Sequence, residues 1–196
     1  MNRSGIVLAG GASRRFGGDK LAEPIAGVSL LSHAVRALGG IVDEIVVVVA
    51  PDQAPPTIDA AAGGPPVRLA RDPEAFGGPL VGLRTGLVAA QGATLIVVGG
   101  DMPSLVPAVL ELLLRPSPRV LAAALADEAG RLRPLPCALD RAAALALADE
   151  LLAGGERRLR ALLTGLGTVP LPRAEWATID PAGLTMRDVD ERSDLP

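Results

Sequence analysis

The sequence predicts an α/β fold: a mostly parallel sheet with helices on both faces. Three observations predict it. Apolar runs of strand length alternate with segments of helical period over the first two-thirds of the chain. The runs Ile45–Val49 and Thr94–Val98 are continuously apolar and rich in β-branched residues, as strands covered on both faces are. A polar, glycine-rich loop, Gly10–Lys20, directly follows the first run, where open α/β sheets place their ligands.

Each element has a local reason. Gly5–Ala9 reads as a short buried strand. Ser29 is placed to cap a helix whose Leu30, Leu31, Ala34, Val35 and Leu38 share one face, with Gly39-Gly40 ending it. Residues 53–66 are rich in Pro, Ala and Gly and read as a surface connection, and Val67–Ala70 as a short strand. Pro79 opens a helix to about Ala90, because proline suits a first helical turn. Val106–Leu114 reads as a helix and Val120–Ala126 as a strand. Asp127–Gly130 reads as a turn, and Arg131–Leu139 as its returning strand. Asp140–Ala153 and Glu156–Leu163 read as helices separated by Gly154-Gly155, and the tail as short strand-like pieces before Asp188-Val189-Asp190. No internal repeat or interdomain linker is evident, so one domain over residues 1–196 is expected.

Composition narrows the function. The hydrophobic fraction is 49% but aromatics are only 2%, too few for a platform that stacks nucleic-acid bases. The net charge is −3 and no Lys/Arg run stands out, so no nucleic-acid partner is expected. Cys137 is the only cysteine and His33 the only histidine, which argues against an internal disulfide, a multi-Cys zinc site or a hydrolytic triad. Both read as packing or surface residues. Met1–Ser4 carries no signal-peptide core and no run of 18 apolar residues occurs; a cytoplasmic protein without membrane association is expected.

Five segments bear chemistry. In Leu8–Lys20, glycines let the backbone approach a phosphate and aim several N–H groups at it. Arg14, Arg15 and Lys20 add positive charge. The loop matches neither the P-loop nor the G-x-G-x-x-G pattern, and composition alone also allows a plain turn with solvated charges. Asp101 follows the strand ending in Gly99-Gly100, where a carboxylate can hold magnesium or merely cap a turn. Arg71-Asp72 with Gly77–Gly82 forms a close-approach loop that can wall a base pocket. Asp188 and Asp190, if in a strand, share a face. Arg157, Arg158 and Arg160 suit either a phosphate-bearing acceptor or a solvated face.

Together these segments resemble the molybdenum cofactor guanylyltransferases, a MobA-like nucleotidyltransferase family. Leu8–Lys20 resembles the family's L-A-G-G-x-S-x-R-x-G-x-D-K loop. Gly78–Gly82 resembles its G-P-L-A-G element, and Gly100–Pro103 its C-D-x-P element. Pro134–Pro136, Gly155–Leu163 and Asp188–Leu195 resemble its later segments, in the same order.

The resemblance implies a Rossmann-like three-layer αβα fold and a Mg2+-dependent reaction. In that reaction GMP passes from GTP to molybdopterin and pyrophosphate is released. It also implies cofactor-delivery or molybdoenzyme partners. It carries nucleotide binding to Leu8, Ala9, Gly10, Gly11, Ser13, Lys20, Asp72, Gly78 and Asp101, catalysis to Arg15, Lys20 and Asp101, and magnesium to Asp101 and Asp190. Three positions depart from it. Val48–Pro51 lacks the asparagine that touches the nucleotide in many members, Asp188 and Asp190 stand for asparagines, and Gly100 stands for cysteine. A cytidylyltransferase of the same cofactor and a non-catalytic nucleotide-binding regulator are the alternative readings.

Overall fold

In a computed structural model, residues 2–10, 20–74, 77–115 and 120–195 are described. The elements are β1 (Arg3–Leu8), β2 (Pro24–Ile25), β3 (Val28–Ser29), α1 (Leu30–Leu38), β4 (Glu44–Val49), β5 (Val67–Arg71), α2 (Pro79–Ala89), β6 (Thr94–Gly99), α3 (Pro107–Leu113), β7 (Ala122–Ala126), β8 (Leu132–Asp140), α4 (Arg141–Ala153), α5 (Leu159–Gly165), β9 (Val169–Leu171) and α6 (Arg173–Trp176). Seven strands form one sheet in the order β5-β4-β1-β6-β8-β7-β9, and β2 and β3 form a separate small hairpin. β8 runs antiparallel to both its neighbours, and the other pairings in the large sheet are parallel.

The central strands are buried on both faces, and the pleat splits their side chains between two cores. Val7, Ile45, Val47, Val49, Ile96 and Val98 face α1 and α3, with Trp176 of α6 in the same cluster. Ile6, Val46, Val48, Leu95 and Val97 face α2, α4 and α5. The result is the expected three layers. With few aromatics, close backbone approach does much of the packing: a Cβ at Gly86 would lie 2.7 Å from the Ile6 side chain. Any larger residue there would force α2 off β1.

Local signals operate as the sequence suggests. The Ser29 hydroxyl accepts from the Ser32 amide at the start of α1. The Asp140 carboxylate does the same for Ala143 in α4. Pro79 and Pro107 stand in the first turns of α2 and α3. Cys137 is buried between strands, and burial pushes its thiol up to about 12, which leaves it inert. His33 is half-buried, its Nε2 3.0 Å from the Ile25 carbonyl.

Two expectations are corrected. The helix placed at Glu156 begins at Leu159, because the Glu156 carboxylate bonds the amides of Arg157 and Arg158 and holds them in a turn. The tail contributes one strand, β9, followed by the short α6 and single turns. Asp188–Asp190 is irregular and pairs with no strand.

Candidate nucleotide and metal site

The carboxyl ends of β1, β4, β5 and β6 meet along one edge of the sheet. The Ala9 amide donates to the Val48 carbonyl at 2.8 Å, the Gly100 amide to Leu8 at 2.9 Å and the Asp72 amide to Val49 at 2.9 Å. The sequence motifs at these four strand ends are therefore neighbours in space. Gly10 permits the closest approach: a Cβ there would lie 3.4 Å from the Ala50 nitrogen. Gly100 is similarly enclosed, within 3.4 Å of Leu31, the Leu8 carbonyl and Leu21.

Lys20 opens a single 3-10 turn just past the loop and is only 9% exposed. Its ammonium lies 3.0 Å from an Asp101 carboxylate oxygen and 3.6 Å from one of Asp190. Asp101 itself is shaped by its strand end. A Cβ at Gly99 would lie 2.5 Å from Asp101 Oδ1, so glycine there makes room for the carboxylate. The tail is fastened to this point, since the Val189 amide donates to the Asp101 carbonyl at 2.9 Å and Val189 packs on Leu30. A cleft of about 480 Å3 opens alongside, bordered by Pro103, Ser104, Arg133, Arg187 and Asp188.

Asp72 stands apart from this charge cluster. It is 8% exposed, and its Oδ1 finds no hydrogen-bond partner among the described residues. Burial raises its carboxyl above the ordinary aspartate range. A hydrogen bond from the Glu74 backbone opposes this, and the Glu74 charge adds to it. Gly82 of α2 leaves the space beside it: a Cβ there would lie 3.4 Å from Asp72 Oδ2. A buried acceptor without a donor, next to glycine-lined space, is suited to a ligand's hydroxyl or amino group.

Gly78 adopts φ 94°, a region open to glycine alone, and a Cβ would lie 2.9 Å from that of Arg157. The Leu80 amide donates to the Arg157 carbonyl at 3.1 Å, so the 156–158 turn braces the start of α2. The Arg157 guanidinium bonds the carbonyls of Leu152 and Glu156. Arg158 pairs with Glu156 at 2.6 Å; that pair and the two backbone amides pull the Glu156 carboxyl down to about 2. Arg157 thus braces the loop rather than standing in a solvated row.

The structure gathers Leu8, Ala9, Gly10, Lys20, Asp72 and Asp101 on one edge, with Asp190 reaching them from the tail. Asp188 and Asp190 do not act together. Asp190 pairs with Lys20, whereas Asp188 lies 3.8 Å from Arg133, because irregular backbone lacks the alternation of a strand. Gly11, Ser13, Arg14 and Arg15 lie outside the described residues. The brace from Arg157 to Gly78 had no signature in the sequence beyond the positive-φ demand on a Gly-Gly-Pro segment.

Among the described residues no three His, Cys, Asp or Glu side chains gather as a metal cage. Two carboxylates converging on one cation, Lys20, nevertheless fit magnesium, which takes one or two carboxylates and completes its shell with phosphate oxygens and water.

Comparison with known proteins identifies the family. Residues 5–169 match the family described as the MobA-like NTP transferase domain. A probable molybdenum cofactor guanylyltransferase of Chloroflexus aggregans is 36% identical over 100% of this chain and 92% of its own length. One of Mycobacterium avium is 36% identical over 83% and 81%. The solved molybdopterin-guanine dinucleotide biosynthesis protein A of Archaeoglobus fulgidus superposes with a TM-score of 0.76 at 19% identity, covering 98% of this chain and 94% of its own. This chain belongs to the MobA-like NTP transferase family.

Proposed function

We propose that this MobA-like transferase moves GMP from GTP to molybdopterin, forming the guanine dinucleotide cofactor and releasing pyrophosphate. The observation that carries the reading is Lys20, held at 3.0 Å from Asp101 and 3.6 Å from Asp190 beside the glycine loop of β1. The relatives named as guanylyltransferases supply the choice of nucleotide and acceptor.

The chemistry is an in-line displacement. An oxygen of the acceptor's terminal phosphate attacks the α-phosphorus of GTP. The new P–O bond forms as the bond from that phosphorus to the bridging oxygen of the β-phosphate breaks, and pyrophosphate carries off the electron pair. The attacking oxygen is already anionic, so no protein nucleophile is needed. The chain's task is to position both partners and to neutralise charge. The amides of Gly10, Gly11 and Ser13, with Arg15 and Lys20, receive the triphosphate. Asp72 accepts a hydrogen bond from the nucleoside, and Leu8, Ala9 and Gly78 shape its pocket. Asp101 and Asp190 would hold Mg2+, which would supply positive charge against the triphosphate. The cleft beside Pro103 leaves room for the acceptor, with Asp188 on its rim. We place the reaction in the cytoplasm, with cofactor-delivery proteins or molybdoenzymes as partners.

Pyrophosphate release by the purified protein tests this, with magnesium, molybdenum-loaded molybdopterin, and GTP or CTP in parallel. Release that needs the acceptor and prefers GTP is expected. A preference for CTP would retain the mechanism and change the product. Nucleotide binding without release from either would point to a non-catalytic regulator.

A further inference from the structure

β4 ends in a turn, Ala50–Gln53, that lies against Gly10 and, among the described residues, has no ladder partner to hold it. Within the turn, the Gln53 amide donates to the Ala50 carbonyl at 3.2 Å and the Gln53 side-chain oxygen accepts from the Ala50 amide at 3.3 Å. Its other support comes from the neighbouring strand. One terminal nitrogen of Arg71, at the end of β5, reaches the carbonyls of Gln53 at 2.8 Å, Pro51 at 3.0 Å and Ala50 at 3.4 Å. Three carbonyls of one turn thus gather on a single cation. The turn abuts the nucleoside side of the site: a Cβ at Gly10 would lie 3.4 Å from the Ala50 nitrogen, and Asp72 follows Arg71 directly. Here the chain also lacks the asparagine that the resemblance leads one to expect, having Ala50-Pro51 instead.

We infer that Arg71 is a positioning residue of the nucleoside pocket, clamping the Ala50–Gln53 turn so that its backbone walls the space beside Gly10. The inference rests on the nucleotide reading above and concerns how this chain achieves it. Arg71 touches no reacting atom. Its effect falls on nucleotide affinity, because a turn free to move away from Gly10 opens the pocket without disturbing Lys20 or Asp101. The clamp needs a cation with several N–H donors, which a lysine ammonium also offers.

The test is GTP affinity by calorimetry with magnesium, alongside steady-state kinetics, on the full chain and three variants. Arg71→Ala is expected to weaken GTP binding and raise its KM about tenfold, the lower end of what a charged hydrogen-bonding group contributes, with kcat within about twofold. Arg71→Lys is expected to recover most of the affinity. Arg36→Ala removes a comparable surface clamp, from α1 to Asp59 at 2.5 Å, and is expected to leave GTP affinity unchanged. Unchanged GTP affinity in Arg71→Ala, or equal losses in Arg71→Ala and Arg36→Ala, would overturn the inference while leaving the transferase reading intact. A wild-type protein that binds neither GTP nor CTP would overturn both.

Discussion

Glu44 and Asp72 are both buried carboxylates, set at opposite ends of the sheet, and they differ in how they are satisfied. Glu44, at the amino end of β4, accepts from the Ser4 hydroxyl at 2.6 Å, the Gln91 amide at 2.6 Å and the Arg68 guanidinium at 2.6 Å. The Ser4 hydroxyl in turn accepts from the Gly92 amide at 2.8 Å. Burial pushes the Glu44 carboxyl up, but the bonds from Ser4, Arg68 and Gln91 together hold it below the ordinary range. Asp72, beyond the carboxyl end of β5, has one oxygen without a donor among the described residues, and burial leaves its carboxyl raised. One end of the sheet closes its polar groups on one another; the other holds a buried acceptor with no donor among the described residues. Asp180, beyond α6, behaves like Glu44. It is buried, yet donors from Leu184 and Thr185 hold its carboxyl low. Burial alone therefore does not set the direction in which a carboxyl shifts; the donors around it do.

The sharpest separation of the two ends is between activity and stability. Lys20→Ala or Asp101→Ala is expected to lower kcat by about 100- to 1,000-fold, the usual cost of one group that stabilises transition-state charge. The loss is read per folded molecule, because Lys20 is buried and its pairing with part-exposed Asp101 also carries some stability. Near-normal turnover in either variant would remove that residue from the mechanism.

Glu44→Gln should do the reverse. It breaks a buried, multiply bonded carboxylate and is expected to cost about 2 kcal/mol of stability, with turnover per folded molecule retained. Because the folded state holds Glu44 below its ordinary value, its contribution is present above the unfolded carboxyl range. That contribution disappears as pH falls through the folded value. Urea melts at neutral and acidic pH should show the wild type and the variant converging in acid.

Asp72→Asn gives a smaller change in stability than Glu44→Gln, and of the opposite sign. The folded state raises this carboxyl, so its ionisation opposes folding, and the chain loses stability as pH rises through the folded value. Removing the charge is expected to raise the melting temperature at neutral pH. GTP binding should weaken at the same time. A variant that melts lower at neutral pH would place Asp72 with Glu44 as a structural carboxylate.

Much of the layout was legible from local signals, because those signals act within a turn or a pleat. Ser29 and Asp140 cap the helices they precede, and proline opens α2 and α3. The run Glu44–Val49, buried throughout, could only be a strand covered on both sides. The same locality explains the errors. Glu156 follows a Gly-Gly break and looks like a helical residue, but its carboxylate is short of helix and spends itself on the next two amides. The spacing of Asp188 and Asp190 suggested a shared face only if the backbone were extended and paired, and the tail has no strand to pair with.

By itself, the sequence determined the alternation of strand and helix, their boundaries to within a few residues, and the loops that could carry charge, because periodicity and capping depend on neighbours along the chain. Only the tertiary structure decided which charges meet. Lys20 and Asp101 are 81 positions apart, and Ser4, Glu44, Arg68 and Gln91 come from four separate segments. Strand order brings such groups together or keeps them apart, and burial then decides whether each finds a donor. That is why two aspartates and a glutamate of equal standing in the sequence became a charge cluster, an open acceptor and a closed structural node.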